Sequence, residues 1–254
     1  MPMKNHFALS RQTQILTLLV GVSMAALPAT ADIFDNFNVG TTPNPAWDFL
    51  DLAGNGAATQ GSGTYNIGGS GTATTRTDGL FADGVFRVDL MSWTTGVPGT
   101  PPGAAQGLLF RYSPVNGTSY GLIVDEDGTP TLSFIRLNNF QLVDQQSETG
   151  ILALNAAGTG YTLEAIAVGN TFTGNLYNKS DNSLIVSITW SDSTLSSAGR
   201  AGLLIANDGT PTGAPFPAAS FDNFSAVVPV PEPGTLALFA LGAVVTGIGL
   251  RKRR

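Results

Sequence analysis

Nine short runs rich in Val, Ile, Leu, Phe and Tyr punctuate the middle of this chain, at 85–93, 107–112, 119–124, 131–137, 161–168, 171–177, 184–190, 201–206 and 220–227. They alternate or run continuously apolar, and they lack the three-to-four-residue spacing of an amphipathic helix, so they read as β-strands. What separates them is turn chemistry: Val115-Asn116-Gly117, Asp127-Gly128, Val168-Gly169-Asn170 and Lys179-Ser180-Asp181-Asn182. Asn-Gly and Asp-Gly supply positive φ at little steric cost, which suits tight antiparallel connections. Many short strands at this spacing predict an all-β chain folded as an antiparallel β-sandwich or jelly roll.

Alternation predicts which side of each strand is buried. In 85–93, Phe86, Val88 and Leu90 face one way, while Arg87, Asp89, Met91 and Trp93 face the other, so one sheet face mixes polar and aromatic groups. In 171–177, Phe172, Gly174 and Leu176 oppose Thr171, Thr173, Asn175 and Tyr177, a half-exposed ribbon. The string Phe34-Asp35-Asn36-Phe37 recurs as Phe221-Asp222-Asn223-Phe224. Four residues are too few for a repeat architecture. The echo instead predicts neighbouring strands that close one sheet, with Asp35 near Asp222.

Composition excludes several kinds of chemistry. Cysteine is absent and the only histidine is His6. Disulfides, thiolate nucleophiles, Ser-His-Asp catalysis and His- or Cys-ligated zinc are thereby removed from residues 32–228. Those residues hold six basic and 17 acidic side chains, a net of −11, so nucleic acid is not an expected partner. Carboxylates are the remaining catalytic resource, and a glycosidase needs two of them across a cleft. Glu126 lies in the turn Asp125-Glu126-Asp127-Gly128, and Glu148 lies in a polar loop. Glu164 stands on a predicted strand with no acidic residue two or four positions away. The body is accordingly expected not to be an enzyme, with a carboxylate-dependent carbohydrate-active enzyme as the competing reading.

The two ends carry targeting signals. Lys4 and Arg11 precede an apolar stretch from Ile15 to Leu27, followed by Ala29-Thr30-Ala31. Ala29 and Ala31 fit the small-x-small requirement of signal peptidase, which predicts a removable signal helix over 1–31 cut before Asp32. At the other end, Gly234 to Leu250 carries no charge and runs directly into Arg251-Lys252-Arg253-Arg254. This predicts a single transmembrane helix at 234–250 with its basic tail, 251–254, on the cytoplasmic side. Pro229, Pro231 and Pro233 make 229–233 an extended spacer. The expected organisation is a signal peptide at 1–31, a β-sandwich domain at 32–228 and a sorting signal at 229–254.

The ending VPEPGTLALFALGAVVTGIGLRKRR, with Pro231-Glu232-Pro233, an apolar segment and an Arg-rich end in that order, resembles the PEP-CTERM sorting signal. The resemblance implies a Gram-negative bacterium that makes exopolysaccharide. It also implies an exosortase cutting near Pro231, Glu232 and Pro233, membrane anchorage before processing, and a final place at the cell surface or in the extracellular matrix. The body resembles the concanavalin A-like, laminin-G-like jelly rolls. That resemblance rests on the opening Phe34-Asp35-Asn36-Phe37, Gly63-Thr64-Tyr65, Phe86-Arg87-Val88-Asp89-Leu90, Gly107-Leu108-Leu109-Phe110-Arg111-Tyr112 and Tyr120-Gly121-Leu122-Ile123-Val124. It continues through Tyr161-Thr162-Leu163-Glu164-Ala165 and Gly199-Arg200-Ala201-Gly202-Leu203-Leu204 to the second Phe-Asp-Asn-Phe. It implies glycan binding on the concave sheet and a structural calcium near the paired termini. The chain lacks the Glu-x-Asp-x-x-Glu strand of the glucanase branch.

Candidate ligand residues follow from chemistry. Trp93, Tyr112 and Tyr120 offer aromatic faces to sugar rings, and Arg87, Arg111 and Arg136 offer planar donors to hydroxyls or uronate carboxylates. Asp35 and Asp222 are candidate calcium ligands; no other cofactor is expected. The expected function is an exported surface, biofilm or matrix protein whose body binds exopolysaccharide, or serves a purely structural role there.

Overall fold

The computed structural model describes residues 32–38, 47–51, 54, 56–61, 63–69, 71–93, 105–125, 130–149, 157–206 and 218–228. The expected signal helix and transmembrane helix, with Ala29, Ala31, Pro231, Glu232 and Pro233, lie outside the described residues, as does Asp127-Gly128. The described residues form strands β1 (Ile33–Asp35), β2 (Trp47–Asp51), β3 (Ala57–Gly61), β4 (Thr64–Gly68), β5 (Thr72–Arg76), β6 (Gly84–Trp93), β7 (Ala105–Ser113) and β8 (Thr118–Asp125). There follow β9 (Thr131–Asn138), β10 (Gln141–Thr149), β11 (Ala157–Val168), β12 (Thr171–Asn178), β13 (Leu184–Ser191), β14 (Arg200–Ala206) and β15 (Ala218–Val227). All nine predicted runs are strands.

Two antiparallel sheets face each other. The larger has the order β13-β12-β11-β6-β15-β4-β3, with β1 also on β15; the smaller has the order β10-β9-β8-β7-β14-β5-β2. As the duplicated string predicts, the ends are neighbours: Ile33 pairs with Ala226, and Asp35 with Phe224. Positive φ at Gly117 (63°), Gly169 (56°) and Asn182 (57°) confirms three of the predicted turns.

Period-two alternation creates the core. Phe86, Val88 and Leu90 of β6, Leu108 and Phe110 of β7, Tyr120 and Leu122 of β8, and Phe172 and Leu176 of β12 are all buried between the sheets. Each such side chain stabilises by about 1.5–3 kcal/mol. At the centre, Phe110 stacks on Phe86 at 5.3 Å and meets Phe172 edge-on at 5.5 Å, and Phe172 lies 4.6 Å from Tyr120. A second apolar group, including Leu109, Tyr112, Ile123, Ile135 and Leu204, occupies the other side of the smaller sheet.

One bulge fixes an end of the sandwich. Phe110 pairs with Tyr120 and Ser113 with Thr118, so β7 spends one residue more than β8, and Arg111 takes a φ of +49°. The extra residue turns Arg111 inward. Its Nε donates to the Ala82 carbonyl at 2.6 Å and its Nη1 to the Leu195 carbonyl at 2.7 Å; Nη2 reaches the Gly169 carbonyl and Asp83. The guanidinium lies 5.2 Å from the Phe172 ring centre. Gly199 is required beside it, because a Cβ there would meet the Arg111 carbonyl carbon at 2.4 Å.

Two predictions follow from these contacts. Arg111→Met leaves three carbonyls without their guanidinium donor and removes a buried charge network, and should lower stability by roughly 3–5 kcal/mol, whereas Arg200→Ala, which breaks only the more exposed pair with Asp48, should cost about 0.5 kcal/mol. Denaturant unfolding of the two variants measures the contrast. Acid should also weaken the fold. The Arg76 hydrogen bond holds the Asp78 carboxyl below its usual value. At Asp192 burial works in the opposite direction but is outweighed by Thr194, Tyr120 and Arg136. Carboxyls depressed in the folded state contribute stability that is full above the unfolded value, near pH ~4, and is lost as pH falls through the folded values. The urea midpoint should stay level on this account from neutral pH to about 5 and fall below about 4, and Asp78→Asn should flatten that fall.

Candidate functional site

The outward face of the larger sheet is built from alternate residues of five adjacent strands. The register sets Glu164 of β11 opposite Arg87 of β6 and Asn175 of β12, and Thr162 opposite Asp89 and Tyr177. Glu164 is the hub of one half. Its Oε1 accepts from Asn175 Nδ2 at 2.9 Å and from the Tyr177 hydroxyl at 3.1 Å, and its Oε2 faces Arg87 Nε at 3.3 Å. Ser187 of β13 donates to Asn175 Oδ1 at 2.7 Å, extending the chain of bonds by one strand.

Asp89 is the hub of the other half. It accepts from the Thr162 hydroxyl at 2.7 Å, from Lys179 Nζ at 2.9 Å and from Asn223 Nδ2 of β15 at 2.8 Å. The bonded strip thus runs β15-β6-β11-β12-β13, about 19 Å across at ~4.8 Å per strand. The carboxylates lie deep, with side chains 12% and 11% exposed, whereas Arg87 and Lys179 are 40% and 30% exposed. Arg87 also sits 5.9 Å from the Tyr177 ring centre. Burial, reinforced by the Glu164 carboxylate, raises the Tyr177 hydroxyl above its usual value and keeps it a proton donor. The face offers amides, hydroxyls, one aromatic ring and two cations over two fixed carboxylates.

Of the six predicted ligand residues, Arg87 alone is on this face. Trp93 is 7% exposed, because β6 bulges at Met91 and Ser92, which turns Trp93 inward onto Tyr161 at 5.8 Å. Arg111 is spent on carbonyls and Tyr112 packs on Phe140. Tyr120 is fully buried, its hydroxyl accepting from Leu195 N at 3.0 Å. Arg136 joins Asp192 at 2.8 Å and Asp144 at 3.2 Å at the sandwich margin. These five serve the fold, which corrects the expectation that they form a ligand surface. The contributors that sequence reasoning did not name as ligand residues are Asp89, Thr162, Glu164, Asn175, Tyr177, Lys179 and Asn223. Parity in 85–93 and 171–177 marks Asp89, Asn175 and Tyr177; the other four depend on cross-strand register, which single strands do not reveal.

The paired calcium ligands are also corrected. Asp35 pairs with the inward Phe224 and is satisfied by Arg76 at 2.8 Å, Trp47 Nε1 at 2.8 Å and Phe37 N at 2.9 Å. Asp222 pairs with the outward Asp89 and binds its neighbour Asn223 N at 2.7 Å. The two carboxylates lie on adjacent strands but point to opposite faces, and Asp35 already holds a guanidinium. Among the described residues no group of three or more His, Asp or Glu could hold a metal ion.

Residues 229–254 match the family model described as the PEP-CTERM protein-sorting motif. No curated protein matches the chain by sequence. By structure, the Bacillus licheniformis β-glucanase is similar with a TM-score of 0.55 at 14% identity, over 80% of this chain and 100% of that one. Carbohydrate binding module CBM66 from Bacillus subtilis gives 0.50 at 19% identity, over 72% and 95%. GH43B of a Bacteroides ovatus xyloglucan PUL gives 0.53 at 16% identity; the similarity covers 78% of this chain but only 39% of that protein's length. The expectation that the body is not an enzyme is overturned here. Its fold is shared with a β-glucanase and GH43B, and Glu164, alone on its own strand, gains Asp89 as a companion from β6. The chain is an exported protein that ends in a PEP-CTERM protein-sorting motif and carries a two-sheet, concanavalin A-like jelly roll.

Proposed function

We propose that residues 32–228 form the body of a surface or matrix protein that binds polysaccharide on the outward face of its larger sheet, and that an exosortase processes the chain at its C-terminal signal. The observation that carries this reading is the strip from Asn223 to Ser187, in which Glu164 and Asp89 fix neighbouring amides, hydroxyls and cations on one open face. Such groups match the donors and acceptors of sugar hydroxyls, and the Tyr177 ring adds an apolar surface. The sorting motif supports an extracellular, polysaccharide-rich setting, and the fold shared with a carbohydrate binding module supports the ligand class. The final location, cell surface or secreted matrix, is part of the same proposal.

A second reading, hydrolysis of the bound polysaccharide, is favoured by one further observation. Glu164 and Asp89 are diagonal neighbours on adjacent strands, their Cα atoms about 7–8 Å apart by sheet geometry, which sets two carboxylates on one face as a glycosidase requires.

Two measurements test these readings. Retention of the chain on acidic and neutral bacterial exopolysaccharides should fall at least about tenfold, ~1.4 kcal/mol, in Arg87→Ala and in Tyr177→Ala; Arg200→Ala should leave it unchanged. Retention unaffected by both face variants defeats the binding site. For hydrolysis, Glu164→Gln and Asp89→Asn should each reduce release of reducing ends by about a hundredfold or more. If the parent chain releases none, the second reading fails while the first stands.

A further inference from the structure

Most of the large apolar side chains that remain in water gather at one end. Leu80, Val115, Leu142, Val143 and Val168 are between 47% and 93% exposed, and all five lie at that end of the sandwich; Phe49, 37% exposed, is in the middle of β2, and Phe34, 71% exposed, stands on the outward sheet face. Strand direction places them. Val115 is in the turn from β7 to β8, and that turn's Gly117 carbonyl accepts from Phe140 N at 3.2 Å, in the hairpin that leads to Leu142 and Val143. Val168 opens the β11–β12 turn, where Gly169 N donates to Asp83 at 2.8 Å, and Leu80 adjoins Phe81, which bonds Gly199. Phe34 pairs with Ser225, whose other partner is Arg87, which sets it level with the polar strip and not at the end. Arg111 clamps several of these turns from beneath, through Ala82, Gly169 and Leu195, so the apolar tips stand on a fixed base. Leu184, also exposed, begins β13 at the opposite end.

This is also the end from which the chain departs for its sorting motif. Val227 pairs with Val85 at the start of β6, and Val228 N donates to Asp32 at 3.2 Å. Residues 229–233 then lead to the uncharged segment 234–250. Five residues reach at most about 16–18 Å at ~3.1–3.6 Å each. A membrane-embedded 234–250 would hold this end, and not the opposite one, within that distance of the lipid.

We infer that this end of the body is a lipid-facing surface: its five apolar side chains enter the headgroup–acyl boundary of the membrane that the C-terminal segment crosses. The inference rests on the proposed spanning role of 234–250. Clustered apolar side chains at a rigid end mark a partner surface, and the tether supplies the bilayer at high local concentration. Charge selects the lipid. Asp78 and Asp83 at the same end are nearly half exposed and the body is strongly acidic, so zwitterionic headgroups are accepted and anionic ones repelled.

The absence of cysteine provides the test. Single substitutions Leu80→Cys, Val115→Cys, Val168→Cys and Leu184→Cys, each labelled with an environment-sensitive fluorophore, report depth in the chain with its C-terminal segment intact, reconstituted in phosphatidylcholine vesicles with brominated acyl chains. Labels at 80, 115 and 168 should be quenched at least twofold more than the label at 184. A chain that floats with the vesicles but shows equal quenching at all four sites overturns the lipid-facing surface and leaves the spanning segment standing. A chain that does not float defeats both. A concentration-dependent blue shift at 80, 115 and 168 without bromine quenching assigns the surface to a second copy of the chain and likewise overturns the proposal.

Discussion

The last strand of the body is also the middle of its larger sheet, and the rest of the structure depends on its hydrogen bonding there. β15 pairs with β6 on one side, and with β4 and then β1 on the other. Its inward Phe221, Phe224 and Ala226 fill the core, while Asn223, at a φ of +49°, swings its amide out to Asp89. That single insertion joins the two ends of the body, completes one half of the polar strip and aims the C-terminus away from one end of the sandwich.

The polar strip differs from a surface ion-pair network in the order of its layers. Carboxylates at 11–12% exposure lie beneath cations at 30–40%, each held by neutral donors from neighbouring strands as well as by a charge. Exposed ion pairs alone contribute little, because water competes for both partners. Here several neutral hydrogen bonds fix each buried carboxylate, and the reward is orientation: the Asn175 amide, the Tyr177 hydroxyl and the Arg87 fork hold defined directions on an acidic body.

Much of this architecture was legible in the sequence, and the parts that were not share a physical cause. The nine apolar runs gave their strands because burial on one or both faces imposes an alternating or continuous apolar pattern. Thr72–Arg76 is buried throughout yet reads as polar; the Thr74 hydroxyl and the Arg76 guanidinium find partners, Tyr65 and Asp35, that only the fold supplies. β10 is exposed at every position but Ser147 and has no pattern to read, so Glu148 reads as a loop residue; the strand exists because the edge of β9 offers it a ladder. Trp93 sits on the side opposite to the one its alternation predicts, and Arg111 turns inward, because one extra residue in a strand reverses parity and a bulge leaves no mark in a side-chain alternation. The diagonal placement of Glu164 beside Asp89, 75 positions away in sequence, required the register between β11 and β6, a quantity no single run contains.

The placement of β15 has a consequence for the order of events during synthesis. An exported chain emerges amino end first, so β6 and β4 cross the membrane with the gap between them still vacant, and the pairing that fills it links residues as far apart as Asp32 and Val228. Contacts of such long sequence separation form late. The sheet closes only once the segment directly preceding the sorting motif has been delivered, so a body that has finished folding is also one whose tag has already arrived.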